Sequence, residues 1–227
     1  MSNLYKSDEW QSIHPLDRAQ LLLVIEGLKQ GTIISGNLTS FMDILKKTGL
    51  DYELNTNKYQ LNPVVVVAKT EVLQESRLRK FNLPFNATLD DYHRNNGWLL
   101  GYPSCCIEEY VAERTPEQIM NAKKGIHHLT YKFGEELDNL IRTEGKYPDI
   151  FDYVPPSFTP CSIDCPEAKE KLTSWKNAID TLDSEAAEIL TFFNKRHKPN
   201  SYVHQEYLQK VFSEDSLEYK MHLLGKE

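Results

Sequence analysis

The amino-acid sequence predicts an α+β protein: a small N-terminal α/β lobe with a short sheet over residues 1–85, then a mainly helical cysteine-pair domain over residues 86–227. Three observations point there. Period-two alternation and a run of four valines occur before residue 70. Helix start and stop signals recur from Thr88 onward. The chain's 4 cysteines all fall in the second part as two tight pairs, Cys105 with Cys106 and Cys161 with Cys165.

In the first part, residues 15–29 carry Leu16, Ala19, Leu22, Leu23 and Leu28 near helical spacing, predicting an amphipathic helix stopped by Gly31. A shorter helix over 38–47 has Gly49 as its stop. Tyr52 and Leu54, then Tyr59 and Leu61, alternate with polar residues around Asn55-Thr56-Asn57, which is a hairpin pattern. Val64-Val65-Val66-Val67 reads as a buried strand, and residues 70–81 return to helical spacing through Val72, Leu73, Arg77 and Phe81. Pro84 closes the lobe.

In the second part, Thr88 and Asp91 form a helix-start box for a helix running to Leu99, with Gly101 as its stop. Pro103 opens the next helix, because its missing N–H falls where a helix has no internal partner for one. Cys105 and Cys106 are thereby placed in a first turn. Thr115-Pro116-Glu117 starts a long helix whose stripe of Ile119, Ala122, Ile126, Leu129, Phe133, Leu137 and Leu140 spans about six turns up to Gly145. Residues 146–160, rich in proline and carrying Tyr147, Phe151, Tyr153 and Phe158, predict an ordered, packed loop. Pro166 and Glu167 open a further helix with Cys165 or Asp164 as N-cap. Leu172, Trp175, Ile179, Leu182, Ala186, Ile189 and Phe193 then form a heptad-like seam for about three repeats, suited to packing inside the helical part. Pairing of two copies through the 172–193 helix is the other use of such a seam. A last helix is expected over 203–212, extending toward Leu224.

Composition excludes several functions. A chain of 227 residues with 40% hydrophobic content can bury a core without disulfide staples. The net charge of −7, with basic residues scattered among acidic ones, offers no face for nucleic acid. The Lys195-Arg196-His197-Lys198 cluster reads as the cationic end of a helix. The longest apolar runs, 21–25 and 64–68, are far shorter than the ~20 residues of a membrane span, and Met1 to Asp8 lacks the pattern of a secretory signal. A cytoplasmic location with reduced thiols is the expectation.

Both cysteine pairs abut helix N-termini, where the dipole favours thiolate, the form that ligates metal. Cys105, Cys106, Cys161 and Cys165 are therefore the candidate ligands of one four-sulfur centre, an iron–sulfur cluster or a zinc ion. Neither pair has the C-x₂-C spacing of a zinc knuckle, and adjacent cysteines are expected to point apart, which favours several iron corners. Four cysteines can also be mere core filling, since the type is often buried. Two pairs flanked by proline and helix starts weigh toward a shared site. Two other readings stay open: a thiol–disulfide or reactive-cysteine enzyme, and an interaction module stapled by structural zinc. Tyr102, His93, His127 and His128 are candidate second-sphere residues, and the 147–158 aromatics could wall a small-molecule substrate. No phosphate loop, nucleophile elbow or His-Glu-x-x-His occurs, so no reaction is assigned.

The run Leu100-Gly101-Tyr102-Pro103-Ser104-Cys105-Cys106-Ile107-Glu108-Glu109-Tyr110, with Pro160-Cys161-Ser162-Ile163-Asp164-Cys165, resembles the signature of a poorly characterised prokaryotic, largely archaeal domain-of-unknown-function family. In that family a Gly-Tyr-Pro-x-Cys-Cys element is followed, after a helix, by Pro-Cys-Ser-x-x-Cys. The resemblance covers about half the chain. It implies that the four cysteines act together, and no activity.

Overall fold

The computed structural model describes residues 4–34, 41–55, 64–83, 88–112, 131–155 and 158–197. The order is α1 (Asp8–Gln11), α2 (Pro15–Ile25), β1 (Gly31–Ile34), α3 (Met42–Thr48), β2 (Asp51–Asn55), β3 (Val64–Ala68), α4 (Thr70–Phe81), α5 (Leu89–Leu99) and α6 (Ser104–Ala112). Then come α7 (Tyr131–Glu144), a 3₁₀ turn (Asp149–Tyr153), α8 (Pro166–Leu182) and α9 (Ser184–His197). This is an α+β fold, with one small sheet near the N-terminus and helices through most of the rest. Among the described residues no helix is long and apolar enough to cross a membrane.

The sheet has the order β1-β3-β2, antiparallel throughout, with Gly31 opposite Ala68 and Asn55 opposite Val64. Alternate side chains of a strand point to opposite faces. Val67 accordingly joins the main core while Val66 and Ala68 join a smaller cluster with Leu73 and Leu99. Burial on both faces explains the unbroken valine run.

The main core extends from Trp10, Leu21 and Leu22 through Phe133, Leu137 and Phe151 to Leu172, Trp175 and Leu190. At its centre, α2 packs against β1, α8 and α9. Two buried polar pairs lie beside it: Thr32 Oγ1 donates to Gln20 Oε1 at 3.0 Å, and Arg18 Nε lies 2.9 Å from Asp183 Oδ2.

Several expectations need correction. The first long helix ends at Ile25, because Gly27 turns left-handed (φ 73°) and the Leu28 and Lys29 N–H groups fold back onto the Leu23 carbonyl. Gly31 opens strand β1, where an added Cβ would sit 3.1 Å from the Leu99 and Val67 oxygens. The helix is not amphipathic, since every residue from Asp17 to Val24 is buried. Tyr52 and Leu54 instead pair with Val67 and Val65 of strand β3; Tyr59 and Leu61, expected as their hairpin partners, lie outside the described residues. The second helix begins at Met42, and residues 35–40 lie outside. Of the long helix expected over 116–145, Tyr131–Glu144 is helical and residues 116–130 lie outside the described residues. The 172–193 seam is not one helix: Asp183, in non-helical backbone (φ −149°, ψ 82°), divides α8 from α9. Leu172, Trp175, Ile179, Ala186 and Ile189 are buried within this chain. The helix expected over 203–212 lies outside the described residues.

The remaining helices form as their signals indicate. Thr88 and Asp91 make a reciprocal capping box on α5. The 146–160 loop is packed, with Tyr147, Phe151, Tyr153 and Phe158 all buried.

Candidate metal centre

Two segments build the site. In the first, α5 ends at Leu99, and Gly101, with a φ of 71°, lets the Tyr102 N–H return to the Gly97 carbonyl at 3.0 Å. Pro103 follows, and its carbonyl accepts the Ile107 N–H at 3.0 Å, so Cys105 and Cys106 are the second and third residues of α6. Gly97 lets the two helices meet closely: a Cβ there would be 2.6 Å from Ile107 Cγ1.

In the second segment, the aromatic loop delivers Phe158, stacked on Tyr102 with ring centres 4.6 Å apart and planes at 24°. The chain then turns through Cys161, and the Ile163 N–H donates to Glu136 Oε2 at 2.9 Å. Cys165 caps α8, its Sγ accepting the Ala168 N–H at 3.4 Å, with Pro166 in the first turn.

These segments bring all four cysteines together. The Cys105–Cys106, Cys105–Cys165 and Cys106–Cys165 sulfurs are 3.9, 3.6 and 3.8 Å apart. With Cys161 included, the four sulfurs lie within 4.8 Å of one another, a group placed to bind a metal ion. The expectation that adjacent cysteines point apart is overturned. In the first turn of α6 both sulfurs reach the same point. Cys106 and Cys165 are buried, Cys161 is half-buried and Cys105 is exposed.

Electrostatics treats the four unequally. Burial, joined by Cys165, raises the Cys105 thiol. Burial drives Cys106 far upward, and it pushes Cys161 up to about 11. Burial works against the Cys165 thiolate too, yet hydrogen bonds from the Ala168 N–H and from the other three thiols outweigh it and lower its pKa. Without metal, the cluster concentrates its tendency to ionise on one buried sulfur.

Residues 58–186 match a family described as protein of unknown function (DUF483). The chain belongs to that family. The family match contains both cysteine pairs. No curated protein and no solved structure matches the chain.

A cavity of about 160 Å³ abuts the centre, lined by Cys106, Tyr102, Phe158, His93, Asn96 and Tyr110 among others. His93 meets Tyr110 edge-on at 5.4 Å, and Tyr102 stands between the cavity and the core. His127 and His128 lie outside the described residues. Sequence reasoning missed Glu136, which fixes the second cysteine loop from 27 residues away. It also missed Gly97, whose bare Cα sets the α5–α6 approach. No local pattern distinguishes either from an ordinary surface acid or helix glycine.

Proposed function

We propose that the protein is a metal-binding protein in which Cys105, Cys106, Cys161 and Cys165 hold a single zinc ion that fastens the α5–α6 turn to the loop entering α8. One observation carries this reading. Four thiolates at the ~2.3 Å Zn–S distance of a tetrahedral site have sulfurs about 3.8 Å apart, and three of the pairs here are at 3.6, 3.8 and 3.9 Å. A four-iron cluster gives each thiolate its own corner and holds the sulfurs roughly 6 Å apart, wider than the 4.8 Å within which all four lie. Four protein ligands close the tetrahedron, the arrangement of a structural ion; catalytic zinc keeps a position for water.

The distribution of ionisation weighs against a reactive-cysteine enzyme. Its nucleophile must be both thiolate and reachable. Here the thiolate-prone Cys165 is buried, and the exposed Cys105 has its thiol raised.

Anaerobic purification with quantitation of zinc, iron and sulfide per chain tests the proposal. One zinc per chain, replaceable by cobalt with the intense visible bands of a tetrahedral thiolate complex, is the expected result. Iron with matching sulfide, or no metal at all, overturns it.

A further inference from the structure

A second feature lies across Tyr102 from the cysteine cavity. Gly27, Lys29, Tyr102, Ser104, Glu108 and Lys171 are among the residues lining an open groove of about 480 Å³. Lys29 is only 4% exposed, and among the described residues its Nζ has no hydrogen-bond partner. Its neighbours are two rings: the amine lies 5.5 Å from the centre of Tyr102 and 5.6 Å from that of Trp175. Tyr102 lines the groove, and Trp175 is one helical turn beyond Lys171, which lines it too. The amine is enclosed between these two rings, next to the groove that Lys29 and Tyr102 line.

A buried ammonium without a carboxylate partner is unfavourable, and two ring faces recover only part of its lost hydration. Burial accordingly pulls the Lys29 amine down to about 7. Among the described residues no acid pairs with it. Arg94 and Glu108, at another part of the wall, neutralise each other through bonds of 3.0 Å. Lys171 adds a positive charge from α8, and Ser104 places the N-terminal end of α6, where the helix dipole favours an anion, against the same space.

We propose that this groove binds a small molecule through an oxyanion, a carboxylate or a phosphate, received jointly by Lys29, Lys171 at the wall and the N-terminal end of α6. The missing counter-charge of Lys29 is the ligand's. The groove shares the N-terminal end of α6 with the cysteine centre, but its anion binding does not depend on the metal reading.

Calorimetric titration of the full, metal-loaded chain with inorganic phosphate and with malonate, at ionic strength matched by sodium chloride, tests the proposal. Saturable one-to-one binding of at least one anion is expected, and whichever binds identifies phosphate or carboxylate as the recognised group. Lys29→Met keeps the volume and removes the charge, and is expected to weaken binding about tenfold or more. Lys171→Glu, on the half-buried wall, is expected to abolish it and so provides the test should Lys29→Met fold poorly. Absence of saturable binding for both anions, or unchanged affinity in either variant, overturns the proposal. Metal content measured on the same samples separates that failure from failure of the zinc reading.

Discussion

The Cys161 backbone N–H donates to the Cys106 sulfur across 3.4 Å, joining residues 55 positions apart. A sulfur already accepting an N–H is stabilised as thiolate once metal displaces its proton. Cys106→Ser and Cys165→Ser, which remove buried ligands, are expected to yield protein without bound zinc. Cys105→Ser is expected to keep the ion with lower affinity, because water can complete the exposed position. Metal analysis and competition with a chromophoric chelator measure both, and full zinc occupancy in Cys106→Ser would falsify the ligand assignment.

The raised thiols give a pH signature with a definite sign. In metal-free protein Cys161 keeps its proton up to about 11, whereas the unfolded thiol ionises near its ordinary 9.0. At this site the folded state therefore binds more protons in that interval, so the stability contributed by Cys161 is fully present below pH 9 and is lost as pH rises through about 11. Zinc removes the effect by holding thiolate in the folded state. Urea titrations at stepped pH, with and without chelator, should show a steeper loss of stability between pH 9 and 11 in the metal-free protein than in the zinc-loaded one.

Metal binding must expel protons from the thiols that burial holds protonated. Cys105, Cys106 and Cys161 are all raised. Zinc uptake at neutral pH is expected to release at least these three protons. Calorimetry in buffers of different ionisation enthalpy counts them, and a release of one or fewer contradicts a four-thiolate site.

Gly97 has no room for a methyl group, since Ile107 Cγ1 and Cδ1 would be 2.6 and 2.8 Å from it. Gly97→Ala is expected to cost about 1–3 kcal/mol through overpacking, and to weaken zinc binding because α6 carries two ligands. Adding Ile107→Ala should recover part of both losses. Equal metal affinity in all three proteins would show that the helix spacing does not govern the site.

Asp183 accepts the Trp10 Nε1–H at 2.7 Å, caps α9 by accepting the Ala186 N–H at 3.0 Å and pairs with buried Arg18. Asp183→Ala strips all three, and the uncompensated Arg18 alone suggests a loss of about 3–5 kcal/mol. Arg18 retains Gln11 and the partly exposed Glu185, which places the expected value at the lower end. Chemical denaturation checks it.

The cysteine site was legible because its signals are local. Pro103 before Cys105 and Pro166 after Cys165 mark helix starts, and helix starts determine where short side chains point. The boundary of α2 was not, because Gly27 and Gly31 are equally good stops on pattern alone and the reversal at Gly27 depends on carbonyls within the fold. Strand β1 has four residues, Gly31–Ile34, too few to display alternation. The break at Asp183 also escaped the heptad count: seam residues continue on both sides of it, and only Trp10 and Arg18, far upstream, reveal why an aspartate stands there. Relative placement of the sulfurs, and with it the choice between one ion and a cluster, is a tertiary property that spacing does not encode.

Both strands that flank β3, Gly31–Ile34 and Asp51–Asn55, precede residue 58, where the family match begins. An excised 58–186 polypeptide would thus keep a solitary valine ribbon with two bare rims, inviting intermolecular zippering. The homologous stretch is a sequence unit that requires its upstream neighbour to become an autonomous body.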